Sequence, residues 1–258
     1  WPLQSDKLKA ALNLTERELQ LGHLEESISP WNTPIFVILK KATGQWRLLH
    51  DLRAVNAQLV TMGPLQPGLP KPTMIPKDWA ITVLDIKDCF FSIPLHPQDK
   101  KRFVFSVPSV NLREPAQRFQ WMVLPQGIKN SPVICQTVVE RAILPVRRKY
   151  RGLTIILYMD DILVASPLDE QLTPVLEDLT LALKAANLGL AEAKTQRAPS
   201  VKYLGTLISP ATVKPQLLSL TSQATTLHDA QKLVGALQWL RNFDSIPEEW
   251  MIPFYALL

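Results

Sequence analysis

Two adjacent aspartates inside an otherwise apolar stretch constrain this chain more than any other feature. Asp160 and Asp161 interrupt two apolar runs in the segment GLTIILYMDDILVAS at 152–166, and no Lys or Arg occurs from 152 to 183. Two apolar runs separated by a short polar tip are typical of a β-hairpin. The sequence therefore predicts a hairpin that carries both carboxylates at its tip.

A third aspartate, Asp85, lies in a similar setting within AITVLDI at 80–86, which predicts a buried strand. A carboxylate in such surroundings is costly unless it is neutralised, and the neighbouring sequence offers no cationic side chain. A divalent cation bound by oxygen ligands is the simplest counter-charge, and Mg²⁺ is the usual one beside phosphates. Two such ions would stabilise the attacking and leaving oxygens of a phosphoryl transfer.

The three acids are not expected to contribute equally. Neighbouring strand residues point to opposite faces, so we expect Asp85 and Asp160 to be the principal ligands, ahead of Asp161. The alternative interpretation makes Asp160 and Asp161 ordinary turn residues and Asp85 a strand-end cap.

The rest of the pattern mixes helices and strands without regular βαβ alternation, which favours an α+β fold. Proline-rich residues 63–76 predict a loop. Apolar periodicity and end signals predict helices at 5–22 (stopped by Gly22), from Ser131-Pro132 onward (with Ser131 as N-cap), at 170–187 (closed by Asn187 and Gly189) and at 227–240. Further strands are predicted at RFVFSV, RFQWMV and VKYLGTLI.

Composition excludes several classes of protein. With 47% hydrophobic and 20% charged residues, the 258-residue chain can bury a core. Its two cysteines, Cys89 and Cys135, rule out a disulfide scaffold and a four-thiolate zinc site. No apolar run reaches the roughly 18 residues of a membrane span, and the N-terminus does not read as a signal peptide. These features predict a soluble intracellular protein.

A second predicted hairpin, at 35–53, has a basic tip. A turn centred on Thr43-Gly44 would place Lys40 directly opposite Arg47. Like charges that face each other across strands are destabilising, and a bound polyanion would remove that penalty. A triphosphate suits a lysine beside a bidentate arginine. The alternative is a solvated tip kept soluble by its charge.

Positive charge is concentrated between 97 and 151. This segment holds eleven Lys or Arg and three Asp or Glu, whereas the whole chain has a net charge of +5. Such a local field suits a phosphate backbone. Part of it, Arg147, Arg148, Lys149 and Arg151, has a structural alternative, because cations are favourable at a helix C-terminus.

Five motifs occur in the order found in retroviral reverse transcriptases. They are QWRLLHDLRAVN at 45–56, VLDIKDCFFSIPL at 83–95, LPQGIKNSP at 124–132, YMDD at 158–161 and YLG at 203–205. WPL at the start, GPLQPGLP and RFQWMVLPQG resemble most the alpha- and betaretroviral enzymes or their endogenous relatives. The resemblance covers essentially the whole chain.

The resemblance implies a polymerase right hand and RNA- or DNA-templated DNA synthesis from a primer and dNTPs. It implies fingers at 1–60 and 94–130, palm at 61–93 and 131–210, and the start of a thumb at 211–258. The connection, RNase H and integrase regions of Pol are expected in cis outside these residues, so grip on a duplex is expected to be weak. The expected location is the virion or host cytoplasm, without a membrane; a dimer stays an open alternative.

The resemblance also implies roles for individual residues. Two Mg²⁺ ions, with Mn²⁺ as a substitute, are expected on Asp85, Asp160, Asp161 and the carbonyl of Ile86, and Lys194 is expected as general acid to pyrophosphate. The dNTP-binding residues implied are Lys40, Arg47, Asp88, Cys89, Phe90 (as steric gate), Gln126 and Met159, the last with a positive φ. The implied nucleic-acid contacts are Tyr158, Tyr203, Leu204, Gly205, Gln231, Gly235 and Trp239. For Phe90 and Trp239 the alternative is packing in the core.

Two other function classes stay open on the residues alone. One is a catalytically silent, polymerase-like nucleic-acid-binding subunit or domesticated retroelement fragment, which would not require Asp85, Asp160, Phe90 and Gln126 together. The other is a metal-dependent nuclease, which fits the acids but gives Lys40, Arg47 and Phe90 no role.

Overall fold

The chain is described by a computed structural model covering residues 3, 5–40, 44–64, 66, 68–110, 113–216, 224–241 and 243–258. Its helices are α1 (Ser5–Gln20), α2 (Arg53–Gln58), α3 (Pro97–Lys100), α4 (Ser131–Lys149), α5 (Leu172–Ala185), α6 (Leu227–Leu240) and α7 (Glu248–Tyr255). Its strands are β1 (Leu24–Glu26), β2 (Ile35–Leu39), β3 (Trp46–His50), β4 (Ala80–Lys87), β5 (Val104–Val107), β6 (Gln117–Trp121), β7 (Thr154–Tyr158), β8 (Asp161–Ser166), β9 (Gly189–Leu190), β10 (Gln196–Arg197), β11 (Val201–Tyr203), β12 (Thr206–Ile208) and β13 (Val213–Pro215). Short 3₁₀ turns occupy Pro72–Met74, Cys89–Ser92, Asp169–Gln171 and Glu192–Lys194.

The central sheet has the strand order β10-β4-β8-β7, and β9 also pairs with β4. All of these pairings are antiparallel. One face packs on α4 and α5, where Ile86 and Ile162 meet apolar residues such as Val139 and Leu179. We call this the helix side.

The opposite face of the central sheet packs on a smaller sheet of order β11-β12-β13. Val83 and Leu163 from the central sheet are buried there with Val201, Tyr203 and Ile208. We call this the small-sheet side. Because strand residues alternate between faces, the sheet is buried on both sides, which explains its nearly continuous apolar strands.

Two further sheets lie before α4 in sequence. The first has the order β1-β6-β5, and the second is the hairpin β2-β3. His50 joins them: Trp121 Nε1 donates to His50 Nδ1 at 3.2 Å, and His50 Nε2 lies 2.6 Å from Thr33 Oγ1. Because an indole nitrogen only donates, Nδ1 accepts and the neutral ring carries its proton on Nε2.

Most predicted elements are confirmed. The mixture of helices and antiparallel sheets is α+β, and the hairpin at 152–166 forms as β7 and β8. Gly22 and Asn187 follow α1 and α5 with positive φ values of 72° and 58°, as expected for helix ends. Helix α6 has the predicted limits and begins with a capping box between Thr226 and Asp229.

Three local predictions were wrong. Ser131 is the first helical residue rather than the N-cap, because its hydroxyl donates to the Pro125 carbonyl instead of capping α4. VKYLGTLI is two strands, since Leu204 and Gly205 form a turn with φ values of 44° and 75°. Gly189 begins β9 rather than ending a helix.

The two cysteines form a disulfide between Cys89 and Cys135, with Cα atoms 6.7 Å apart. A single bond is no scaffold, but the pairing had no signal in the sequence. It joins the 3₁₀ turn after β4 to α4.

Among the described residues, no helix has both the length and the apolar character required to cross a bilayer.

Candidate active site

The three aspartates predicted to act together lie together. Asp85 on β4 is the direct cross-strand partner of Asp161 on β8, and Asp161 also faces Tyr158 on β7. Asp160 is in the turn that joins β7 to β8, and its carbonyl accepts a hydrogen bond of 2.8 Å from the Ile86 amide. The backbone therefore fixes the hairpin tip against the end of β4.

The turn has the conformation predicted for Met159. Its φ is 57°, in the left-handed region that a non-glycine residue seldom adopts. Met159 and Asp160 are the two residues between the closing pair Tyr158 and Asp161. Positive φ at the first position suits a primed hairpin turn, which keeps the strands tightly paired.

The register adds a relation between the acids that the sequence did not predict. Asp161, placed behind Asp85 and Asp160 from strand alternation, is the residue that faces Asp85. Alternation along β4 and β8 puts Asp85 and Asp161 on the same side as Val83 and Leu163, the small-sheet side. Strand alternation, from which the ranking was argued, does not extend through Asp160, which belongs to the turn. The ranking of Asp85 and Asp160 as principal ligands stays a prediction.

The charges of this cluster repel one another. The pKa of Asp161 is raised to about 6, mainly by burial, then by the neighbouring charges of Asp160 and Asp85, while Lys194 opposes the shift. A raised carboxyl pKa means that the folded chain resists ionisation at this position. Added positive charge would relieve this cost.

Part of that charge comes from Lys194. Its Nζ donates to both carboxylate oxygens of Asp85, at 2.9 and 3.0 Å, and this contact raises the pKa of Lys194. Strand β9 pairs with β4, and Ala191 N donates to the Asp85 carbonyl at 2.8 Å, which places Lys194 beside the acid. This cation does not come from the neighbouring sequence, because the fold brings Lys194 to Asp85 from 109 residues further along the chain.

The side chains of this acid cluster have the chemistry of metal ligands. Within the described ranges, no group of three His, Cys, Asp or Glu side chains is arranged as a ready metal site. Carboxylates gathered in this way are nevertheless the oxygen donors that a divalent cation prefers, and the charges of Asp160 and Asp85 already raise the pKa of Asp161. The donor set therefore fits such an ion.

The predicted register of the basic hairpin was wrong. Arg47 pairs with Ile38, and the Lys40 amide donates to the Gln45 carbonyl at 2.9 Å. Four residues therefore separate the closing pair, instead of the predicted two-residue turn; Thr43 lies outside the described residues. Lys40 is a diagonal neighbour of Arg47 on the same face, so both charges can still address one ligand.

Arg47 has a specific partner within the chain. Its guanidinium donates to Gln126 Oε1. Gln126 precedes α4 and was predicted to bind the same nucleotide as Arg47. The contact was not predictable from local sequence, since 79 residues separate the two.

The segment after β4 turns sharply. Asp88 has a left-handed φ of 46°, and the 3₁₀ turn Cys89–Ser92 follows it. Phe90 is half-buried and packs against the helix-side core, which supports its packing alternative, while part of its ring stays accessible. The Cys89 side chain is buried in the bond to Cys135, so only its backbone is available to a ligand.

The predicted nucleic-acid contacts divide into two groups. Gln231 and Gly235 are exposed on α6. Tyr203 is only 2% exposed, so its side chain cannot touch a duplex. A Cβ on Gly205 would lie 3.1 Å from Trp239 Cζ2, which shows the indole packed on the β11–β12 turn.

The basic cluster at the end of α4 is largely engaged within the chain. Arg147 pairs with Glu140 and donates to the Ile155 carbonyl at 3.1 Å. Lys149 donates to Asp178 at 2.6 Å. These contacts favour the structural alternative for these two residues.

Comparison with known proteins shows the family of the chain. The family described as "Reverse transcriptase (RNA-dependent DNA polymerase)" matches residues 38–208. The whole chain is 51% identical to the Gag-Pro-Pol polyprotein of mouse mammary tumor virus (strain BR6), covering 15% of it. It is 50% identical to the Gag-Pol polyprotein of Rous sarcoma virus subgroup C (strain Prague), covering 16%, and 52% identical to the Gag-Pro-Pol polyprotein of Mason-Pfizer monkey virus, covering 15%.

The chain thus spans about one sixth of the relatives that it matches. The resemblance inferred from the five motifs is confirmed. With most of its length matched and about half of its residues identical to retroviral polyproteins, the chain belongs to the reverse transcriptase family.

Proposed function

We propose that this chain catalyses template-directed DNA synthesis, adding dNTPs to a primer 3′-OH on an RNA or a DNA template. The observation that carries the proposal is the cross-strand pairing of Asp85 with Asp161 beside the turn that holds Asp160, in a member of the reverse transcriptase family. A non-catalytic binding module would have no need of these mutually repelling acids.

In the proposed reaction the primer 3′ oxygen attacks the α-phosphorus of the dNTP, and the bond to the pyrophosphate oxygen breaks. Reverse transcriptases generally use a divalent metal. Here Asp85, Asp160, Asp161 and the carbonyl of Ile86 would hold two Mg²⁺ ions, with Mn²⁺ as a substitute. When bound, the ions would stabilise negative charge on the attacking and leaving oxygens.

Lys194 would have two successive partners. Both Asp85 oxygens accept from its Nζ. The Asp85 oxygens that accept from Lys194 are the same atoms that would bind a divalent cation. Lys194 would therefore leave Asp85 when the cation binds. Its ammonium would then protonate the departing pyrophosphate oxygen, a general-acid role.

The basic hairpin would bind the triphosphate. Lys40 and Arg47 share one face of it, and Arg47 already reaches Gln126. Gln126 would lie beneath the sugar, just before the N-terminus of α4, where anions are favoured. The triphosphate would therefore be held between the hairpin and α4.

The turn after β4 and the tip of the hairpin would complete the nucleotide site. The amides of Asp88 and Cys89 would donate to phosphate oxygens, and the accessible part of Phe90 would exclude a ribose 2′-OH. Met159 would contact the nucleotide and Tyr158 the primer end.

The duplex would lie along α6 and the β11–β12 turn. Exposed Gln231 and Gly235 would follow the minor groove, and Leu204 and Gly205 would contact the primer. Trp239 would support that surface by its packing on Gly205. Most contacts would be to sugar and phosphate, because the template supplies the sequence information.

The architecture that fits this function is a right hand. Fingers at 1–60 and 94–130, palm at 61–93 and 131–210 and the start of a thumb at 211–258 would surround the acids. The relatives are polyproteins, so we propose that connection, RNase H and integrase regions accompany this chain in cis in the virion or host cytoplasm.

The test is primer extension on poly-rA/oligo-dT with Mg²⁺. We expect extension by the chain and loss of extension in Asp160→Asn, since a ligand carboxylate is removed. Asp169→Asn is the matched control, because Asp169 pairs with Arg197. Salt-sensitive binding without incorporation, or full activity of Asp160→Asn, would contradict the proposal.

A further inference from the structure

Tyr203 carries a buried hydroxyl without a hydrogen-bond partner. It ends β11, is 2% exposed, and its Oη is unpaired among the described residues. Buried tyrosine hydroxyls usually find a partner, so an unpaired one calls for an explanation. Direct contact with nucleic acid is no explanation, because the side chain is covered.

The fold places Tyr203 next to the acid pair. It packs with Val83 and Leu163 on the small-sheet side. Val83 and Leu163 are themselves cross-strand partners, and the next pair on that same face is Asp85 and Asp161. Tyr203 therefore lies in the layer directly adjoining the two carboxylates.

Electrostatics agrees with this placement. The pKa of Tyr203 is raised, first by burial and then by Asp161 and Tyr158. A phenol is protonated at neutral pH and can therefore donate a hydrogen bond.

We propose that Tyr203 is a positioning residue for Asp161. Its hydroxyl donates to the Asp161 carboxylate, directly or through one water, once that carboxylate turns toward a bound divalent cation. Ligating carboxylates are commonly held by hydrogen bonds from a surrounding layer, and removing such a partner typically weakens metal binding 10–100-fold. This inference rests on the proposed function, which assigns Asp161 to the cation.

The chain supplies a matched control for this hydroxyl. Thr82 on β4 is fully buried, and its Oγ1 also lacks a partner. One residue from Val83, it points to the opposite face, the helix side. Thr82→Val therefore removes a buried hydroxyl that also lacks a hydrogen-bond partner but cannot reach Asp161.

The experiment measures Mn²⁺ binding to the purified chain by the loss of the free-ion electron paramagnetic resonance signal, without nucleotide or primer. We expect Tyr203→Phe to weaken Mn²⁺ binding about tenfold, and Thr82→Val to leave it unchanged. Thermal unfolding in EDTA gives a second readout. Tyr203→Phe should unfold at an equal or higher temperature, because an unsatisfied polar group is removed.

The outcomes separate this inference from the proposed function. Asp161→Asn should weaken Mn²⁺ binding. If it does not, both the proposed function and the role of Tyr203 are contradicted. If Asp161→Asn weakens binding and Tyr203→Phe does not, only the role of Tyr203 is overturned. Equal weakening by Tyr203→Phe and Thr82→Val would likewise overturn it, because the effect would then reflect the core in general.

Discussion

Gly205 lies against the indole of Trp239, so the β11–β12 turn and helix α6 are in direct contact. A Cβ at this glycine would approach Trp239 Cζ2 to 3.1 Å, and the φ of 75° is one that other residues seldom adopt. We therefore expect Gly205→Ala to lower the free energy of unfolding by about 1–3 kcal/mol, measured by urea denaturation.

Gly235→Ala is the control for that substitution. Gly235 is a helical residue of α6, and its added Cβ would meet nothing within 4 Å. The change should raise stability by about 0.5–1 kcal/mol through helix propensity. If both substitutions changed the free energy of unfolding in the same direction, the contact with Trp239 would not explain the result for Gly205→Ala.

Removing the charge of Asp161 should separate stability from activity. Burial and the charges of Asp160 and Asp85 destabilise its ionised form. Asp161→Asn should raise the free energy of unfolding in EDTA by about 1 kcal/mol, a figure reduced for partial exposure, yet abolish primer extension. Thermal unfolding in EDTA checks the expected gain in stability, and the extension assay checks the expected loss of activity. Lower stability in EDTA would contradict the electrostatic account.

His50 should make folding sensitive to acid. Burial lowers its pKa from 6.5 to about 4, so the unfolded chain binds a proton more readily than the folded one. Stability should fall by about 2–3 kcal/mol as pH drops from above 6.5 to 4. Protonation would also aim an Nδ1 proton at the donating Trp121 Nε1.

The measurement is urea denaturation across that pH range, with His50→Gln as the comparison. An amide can accept from Trp121 and donate to Thr33 without titrating near pH 6. The free energy of unfolding of the variant should depend less on pH, because the contribution of His50 is removed. An identical pH dependence in both chains would rule out His50 as its source.

Arg47 and Gln126 should act as a unit in nucleotide binding. Because the guanidinium donates to Gln126 Oε1, each residue fixes the other. Arg47→Ala and Gln126→Ala should each raise the KM for dNTP. Expressed as free energies, the effect of the double variant should be smaller than the sum of the two single effects by about 0.5–3 kcal/mol. Lys40→Ala with Gln126→Ala is the comparison pair and should be closer to additive.

Local pattern was sufficient to locate the acid hairpin and insufficient to set the register of either hairpin. The apolar runs on both sides predicted both acids at the tip, whereas Met159 and Asp160 form the turn and Asp161 begins β8. At the basic tip, Gly44 suggested a two-residue turn, but the pairing of Ile38 with Arg47 sets a longer loop. Side-chain pattern near that tip does not encode loop length.

The long-range contacts of the site had no local signal. Lys194 meets Asp85 across 109 residues, and only family resemblance singled it out. Ser131 has the residue type of an N-cap, but the nearby Pro125 carbonyl takes its hydroxyl. In both cases tertiary packing selects among partners that the sequence permits equally.

The bond between Cys89 and Cys135 has a mechanical consequence. It fastens the turn that follows β4 to the first half of α4, across 46 residues of chain. While it is intact, the two elements cannot drift apart, and any displacement of that turn must carry the helix along. In the proposed nucleotide site, the amides of Asp88 and Cys89 would therefore stay at a nearly fixed distance from the first half of α4.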